Sequence, residues 1–368
     1  MNILKDCPLS VEEQELLFET IDDKLTIEFP YKRRELRIWK NSLQHLNKKE
    51  ADMKNKPNLM DAEKFVKETM ETFKLEGGKL SIPKVKNFKG GLEEEAVLLL
   101  SDIHLGYVNK ILNMETGKTE VTYNPEIAVI ELNKLLDGVF TINKLLRGSY
   151  RIKKLNIFGL GDLVTGDMIF KGQRFFVSSG VGKQVIDMAN LLADFFRALL
   201  KEFEEIEFTN IIGNHGRMSQ GREAAPTHNN FDYLVGKFAE AILKDEKRVK
   251  FDCPDSRFTM KKIYGWKYYL HHGNEVRSWM GLPYYGVVRQ AKSRRAEVKY
   301  DIECIGHFHV RMEIPVGSKS YTLVNGSFVE RDENVWATMG TMSKAEQTYF
   351  GVSKKRPRTW SFSIDLHK

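Results

Sequence analysis

The chain has 368 residues, of which 42% are hydrophobic and 29% charged, a globular balance that excludes a disordered or fibrous protein. At roughly 100–200 residues per domain there is room for about two domains and a sizeable core. No apolar run approaches the roughly 20 residues of a membrane-spanning helix.

The opening residues lack the basic and apolar regions of a secretory signal. Cys7, Cys253 and Cys304 form no CxxC pair. A cytoplasmic location is expected, with neither a disulfide framework nor a zinc ribbon. Lys and Arg number 57 against 50 Asp and Glu, a net charge of +7. The excess is clustered: Lys32, Arg33 and Arg34 near Trp39; Lys292, Arg294 and Arg295 after Trp279, Tyr284 and Tyr285; Lys354, Lys355, Arg356 and Arg358 beside Trp360. Basic groups among aromatics suit a phosphate backbone with stacked bases, although solvated faces over core aromatics give the same pattern.

Residues 1–90 read as a small helical N-terminal accessory unit. Ser10 and Glu13 suit a capping box, Leu36, Trp39, Leu43 and Leu46 share a helical face, and a third helix runs from Asp61 until Gly77-Gly78. It is a candidate DNA-binding or packing module. Residues 83–91 read as a linker.

Residues 91–368 have a different rhythm. Short apolar runs at Val97–Leu100, Leu155–Phe158, Phe208–Ile212, Tyr268–Leu270 and Ile302–Ile305 predict buried strands. Helical periodicity over 126–146 and 184–203 separates several of them. Alternating strand and helix predicts an α/β layered domain.

Each run ends in polar residues able to bind metal: Asp102-Ile103-His104, Gly161-Asp162, Gly213-Asn214-His215, His271-His272-Gly273 and Gly306-His307-Phe308-His309. Ligand sites in α/β proteins lie beyond the carboxyl ends of strands, so these loops are expected to converge. In extended chain, residues i and i+2 point the same way, which would bring Asp102 with His104, and His307 with His309, to one site. Imidazole, carboxylate and amide donors without thiolate favour Mn²⁺, Fe²⁺ or Zn²⁺. The donors are too many for one ion. Two ions about 3.5–4 Å apart, bridged by one carboxylate, would use them all.

The combined pattern D-x-H, G-D, G-N-H, H-G, G-H-x-H resembles the calcineurin-like metallophosphoesterase superfamily, over roughly residues 95 to 330. Asn325-Gly326-Ser327 resembles the turn that follows the last motif there. The resemblance implies a β-sandwich flanked by helices, with two divalent metals, Mn²⁺ foremost and Fe²⁺, Zn²⁺ or Mg²⁺ as alternatives. It assigns Asp102, His104 and His309 to the first metal, Asp162 to the bridge, and Asn214, His272 and His307 to the second. His215 would assist the leaving group while a metal-bridging hydroxide attacks phosphorus. Arg217 is a candidate substrate contact. Two departures stand out. Gly216 replaces the acid that commonly follows the G-N-H histidine, and no arginine follows Asp162 as it does in the phosphoprotein phosphatases.

The design is most similar to the DNA-end-processing branch, which implies a metal-dependent nuclease acting on DNA, with a partner ATPase and homodimerisation as further expectations. The alternative is a phosphodiesterase or phosphatase for nucleotides or other small phosphoesters. A catalytically silent binding module is the third reading.

Overall fold

The computed structural model describes residues 91–219, 227–279, 283–318, 320–332, 335–336 and 342–367. The chain divides into two units, Met1–Glu68 and Thr69–Lys368. The accessory unit expected over 1–90, with its basic cluster around Arg33, lies outside the described residues.

The described chain forms two mixed sheets. The first takes β1 (Leu92–Leu100), β4 (Tyr150–Gly159), β5 (Glu205–Asn210), β6 (Val249–Asp252), β12 (Glu346–Val352) and β13 (Ser361–Asp365) in the order β13-β12-β1-β4-β5-β6. The second takes β7 (Phe258–Ile263), β8 (Trp266–His271), β9 (Ile302–Ile305), β10 (Met312–Gly317) and β11 (Ser320–Val324) in the order β10-β11-β9-β8-β7. A separate hairpin pairs β2 (Asn109–Leu112) with β3 (Thr119–Tyr123). The helices are α1 (Pro125–Leu146), α2 (Val181–Leu199), α3 (Phe231–Ile242) and α4 (Tyr284–Glu297). All five strands predicted from apolar runs are present, and the two predicted helices are α1 and α2. Helices α3 and α4 were not foreseen, and the apolar residues of α4 do not line up along one face.

The apolar runs are strands because they are covered on both sides. Val97 and Leu99 join Phe158, Tyr268, Leu270, Cys304, Leu323 and Phe350 in the layer between the sheets. By alternation Ala96, Leu98 and Leu100 face the other way, and they too are buried. Full burial of each such side chain is worth about 1.5–3 kcal/mol. On α1, Asn124 accepts a hydrogen bond from the Ile127 N–H (2.8 Å) and Pro125 starts the first turn. Gly138 lets α1 lie close on β13, since a Cβ there would stand 2.3 Å from Ile364.

The topology places the chemistry. β1, β4, β5 and β6 run parallel, as do β8, β9 and β11. A main-chain bond joins the carboxyl ends of the two sets, Phe328 N–H donating to Asp102 O (3.0 Å), and within the second set Gly306 N–H donates to His272 O (2.9 Å). The loops leaving β1, β4, β5, β8 and β9 therefore meet at one edge of the sandwich. No helix of the described residues is long and apolar enough to cross a membrane.

Candidate metal centre

The loops are sharply turned rather than extended. Asp102, His104, Asp162, His307 and His309 all have left-handed backbones, with φ of 54°, 49°, 54°, 71° and 56°. Such a backbone costs a non-glycine residue about 1–2 kcal/mol, and clusters of it mark functional sites. This corrects the extended-chain argument. Asp102 and His104 share a site because both sit in a turn held by Asp102 N–H on Gly161 O (3.1 Å) and His104 N–H on Asp162 O (2.9 Å). His307 N–H is held in turn by both Asp102 carboxylate oxygens, each at 3.1 Å.

The side chains fall into three overlapping groups. Asp102, His104 and His309 form one, Asp162, His272 and His307 a second, and His104, Asp162 and His215 a third that joins them, with ligand atoms in each within 4.8 Å of one another. In the first, His104 Nε2 lies 3.0 Å from His309 Nε2, which is 3.5 Å from Asp102 Oδ1. In the second, His272 Nε2 lies 3.0 Å from both Asp162 Oδ2 and Asn214 Oδ1. The same Asp162 Oδ2 is 4.0 Å from His104 Nε2. The structure thus brings together all seven residues expected to bind metal. His215 joins them, its N–H on Asp162 Oδ1 (2.7 Å) and its ring edge-on to His104.

These spacings fit divalent cations. Donors about 2.1 Å from one ion stand about 3.0–3.4 Å apart. His272 Nδ1–H donates to Leu160 O (2.7 Å), which fixes the ring and turns Nε2 inward. The electrostatics agree. Burial opposes ionisation of Asp162, yet His272, His215 and His104 hold its carboxyl well below the usual range. Burial also opposes charge on His272, but Asp162 pushes it up to about 10. His307, desolvated beside His272, is pushed down to about 3, and burial holds His104 well below its usual value. The carboxylates therefore demand positive charge, while His104 and His307 keep neutral, donating nitrogens.

Several residues that the sequence did not single out build this site. Asp232, in the first turn of α3, accepts N–H groups from Asp162 (2.9 Å), Leu163 (3.0 Å) and Gly213 (2.8 Å). It ties the Asp162 loop to the Asn214 loop. Burial, reinforced by the charge of Asp162, pushes its carboxyl up to about 7. Thr165 O accepts from His215 Nδ1–H (3.1 Å) and from Gln173 Nε2 (2.7 Å). That carbonyl is the orienting partner the missing acid would have supplied. Gly216 is glycine for a steric reason: a Cβ there would stand 2.3 Å from Asn230 Oδ1 and 3.0 Å from Asp232 Cγ. Asp332 Oδ2 lies 3.8 Å from His309 Nδ1. A carboxylate behind a histidine was the one available signal, but 23 residues of sequence separate this pair.

A cleft of about 270 Å³ opens over these groups, lined by His104, Asp162, His215, His307 and His309 with Tyr107, Phe170, Asp332 and Val335. Arg217 is not among its lining residues. Its Nε donates to Asn214 O (2.8 Å), which braces the loop. Arg294 likewise turns inward from its expected basic patch, to Glu303 Oε1 (2.7 Å), Glu275 Oε1 (2.8 Å) and His271 Nε2 (2.9 Å). That buried cluster occupies His271 and leaves His272 to the centre.

A two-sheet core with this donor set at one edge is the arrangement that the resemblance to the calcineurin-like metallophosphoesterases implies. No family model matches the chain, and no curated protein matches it. Among solved structures, it is similar to Vps29 complexed with Zn²⁺ from Entamoeba histolytica, at 14% identity and TM-score 0.30, covering 74% of this chain and 99% of that one. A metallophosphoesterase from Sphaerobacter thermophilus gives 16% and 0.32, covering 74% and 88%. A predicted phosphoesterase from Streptococcus pneumoniae gives 10% and 0.29, covering 75% and 99%. The functional reading rests on the residues of the site.

Proposed function

We propose that the protein is a divalent-metal-dependent phosphodiesterase that acts on nucleic acid, DNA foremost. The observation that carries the phosphoesterase reading is the position of Asp162 between two donor groups, with the His215 main-chain N–H on its other oxygen and the His215 ring beside His104. Two bound cations, Mn²⁺ foremost, would polarise the phosphoryl oxygens and lower the pKa of an attacking water. Asp102, His104 and His309 would hold one, Asn214, His272 and His307 the other, and Asp162 both.

The chain's own residues do the rest. Thr165 O holds the His215 ring by Nδ1, so Nε2 is the atom left to meet substrate. In the protonated ring that atom donates to the departing oxygen, a contribution of about 10²–10⁴ in rate. Among the described residues lining the cleft none is Lys or Arg, and Asp332 adds a carboxylate. A singly charged diester meets less repulsion there than a doubly charged monoester.

The nucleic-acid reading is supported by α4 and the loop before it. Trp279, Tyr284 and Tyr285 are 68%, 46% and 70% exposed, and Arg289 and Lys292 are exposed beside them. Exposed aromatics among cations suit stacked bases and phosphates. The narrow cleft favours a second reading, a phosphodiesterase of free nucleotides.

The test is cleavage of linear and circular, single- and double-stranded DNA, RNA, a nucleotide panel and bis-p-nitrophenyl phosphate by full-length protein with Mn²⁺. Cleavage of nucleotides alone would select the second reading. Two bound metals with no hydrolysis of any phosphoester would leave a silent binding module.

A further inference from the structure

The lining of the cleft is of two kinds. Its floor is His104, Asp162, His215, His307 and His309, all polar and committed to the centre. Its wall carries the rings of Phe170 and Tyr107 and the Val335 side chain, with polar Thr165, Gln173 and Asp332 among them, and the Tyr107 hydroxyl donates to Asp332 Oδ1 (3.4 Å). Tyr107 and Val335 are buried at 8% and 6% exposure, so they present fixed apolar surface rather than mobile side chains. Phe170 is 43% exposed, and its ring stands edge-on to His215 at 5.9 Å between centroids.

The loop that carries Phe170 is firmly built. Gln173 is 2% exposed, takes the Ile169 N–H at 2.7 Å and donates to Thr165 O at 2.7 Å. Gln184 accepts Gly166 N–H at 3.0 Å. Two buried glutamines thus fix the segment between Asp162 and Phe170, and the same Thr165 carbonyl orients His215. An aromatic ring left half in water at the end of so ordered a loop is an unfilled contact surface.

A phosphate alone would use the floor and leave the wall wet. A ligand that carries a flat, apolar group close to its phosphorus would use both. Of phosphoester substituents, a nucleobase has that shape, and the cleft is smaller than most small-molecule pockets, which run from about 300 Å³ upward. It has room for one base and not for a stacked run.

We infer that Phe170, with Tyr107 and Val335, forms a subsite for a single unstacked nucleobase beside the phosphate held at the metal centre. This rests on the phosphoesterase reading and deepens it. A base can enter only after leaving its stack, so the polymer substrate is single-stranded or a frayed end, and a duplex must open first.

The experiment measures binding of adenosine 5′-monophosphate, ribose 5-phosphate and inorganic phosphate to the full-length, Mn²⁺-loaded protein by calorimetry. The proteins are wild type, Phe170→Ala and Phe170→Trp. Wild type should bind the nucleotide about ten-fold more tightly than the sugar phosphate, the scale of one base–aromatic stack. Phe170→Ala should bring that ratio near one with phosphate affinity unchanged, and Phe170→Trp should restore it. Equal affinities in wild type, or a ratio unmoved by Phe170→Ala, would overturn the subsite. Nucleotide preference without hydrolysis of any phosphoester would sink the enzymatic reading and leave the subsite standing. Hydrolysis of bis-p-nitrophenyl phosphate without nucleotide preference would do the reverse. Cleavage of single strands ahead of blunt duplex would mark a polymer as the source of the base, and preference for free nucleotides would mark the small molecule.

Discussion

The ring nitrogens His104 Nε2 and His309 Nε2 face each other at 3.0 Å across 205 residues of sequence. Two neutral imidazoles can share one proton there, and two protonated ones would repel. A cation between them satisfies both lone pairs, as it does the Asp162–His272 pair at the same spacing.

Metal binding should therefore displace protons. His272, pushed up to about 10 by Asp162, carries a proton at neutral pH when no metal is bound. A cation must replace it, so apparent affinity should rise as pH rises, by about ten-fold per unit between pH 6 and 9 for one displaced proton. Calorimetry of Mn²⁺ binding in buffers of different ionisation heat reads the proton count directly. A pH-independent affinity would contradict the assignment. Chelation should lower the melting temperature, since a ligand of the native state stabilises it by mass action.

His215→Ala should keep two metals and lose about 10²–10⁴ in kcat, the scale of one general acid. Metal content by elemental analysis, alongside turnover of bis-p-nitrophenyl phosphate, separates the two roles. Loss of metal would make His215 a ligand instead.

Asp232→Asn should weaken metal binding about 10–100-fold, the usual scale for a residue that orients ligands from behind. The amide puts an NH₂ group where the carboxylate receives main-chain N–H groups from the Asp162 and Gly213 loops. The measurement is Mn²⁺ titration of activity. An unchanged midpoint with a lowered maximum would assign Asp232 to the chemical step.

Gly216→Asp, which restores the commoner residue, should lower both stability and activity. Its Cβ would meet Asn230 Oδ1 at 2.3 Å, and the new carboxylate would stand near Asp232. Overpacking of this kind costs about 1–3 kcal/mol. Gain of activity on restoring the acid would show that Thr165 O does not substitute for it.

Glu131→Gln should make stability less dependent on pH. Glu131 is buried on α1, and burial pushes its carboxyl up to about 9. The folded form holds a proton that the unfolded form loses near pH 4.5, so wild-type stability falls as pH rises between those values. Glutamine removes that slope. The variant should gain on wild type with rising pH, by on the order of 5 kcal/mol between pH 4.5 and pH 8, read from denaturant midpoints. Parallel pH profiles would refute the buried, protonated carboxyl.

The strand runs, α1, α2 and the metal-binding residue types were legible because they are local. Val97–Leu100 is apolar at every position because both of its faces are covered, and a run with no polar face announces itself. The donor motifs follow these runs directly, so one sequence carries both. Helix α4 was hidden because it buries only Val287 and Ala291 and so shows no apolar stripe in the sequence.

The sequence by itself determined which residues could hold metal and the order of strands that deliver them. Only the tertiary structure decided how they are aimed. Left-handed backbones at Asp102, His104, Asp162, His307 and His309 are not announced by glycine, although Asp and His tolerate that region better than most residues. They persist because hydrogen bonds from the neighbouring loops outweigh their strain. Asp232, Thr165 and Phe170 were invisible for the same reason: each acts through a contact that exists only once two sheets have closed on a common edge.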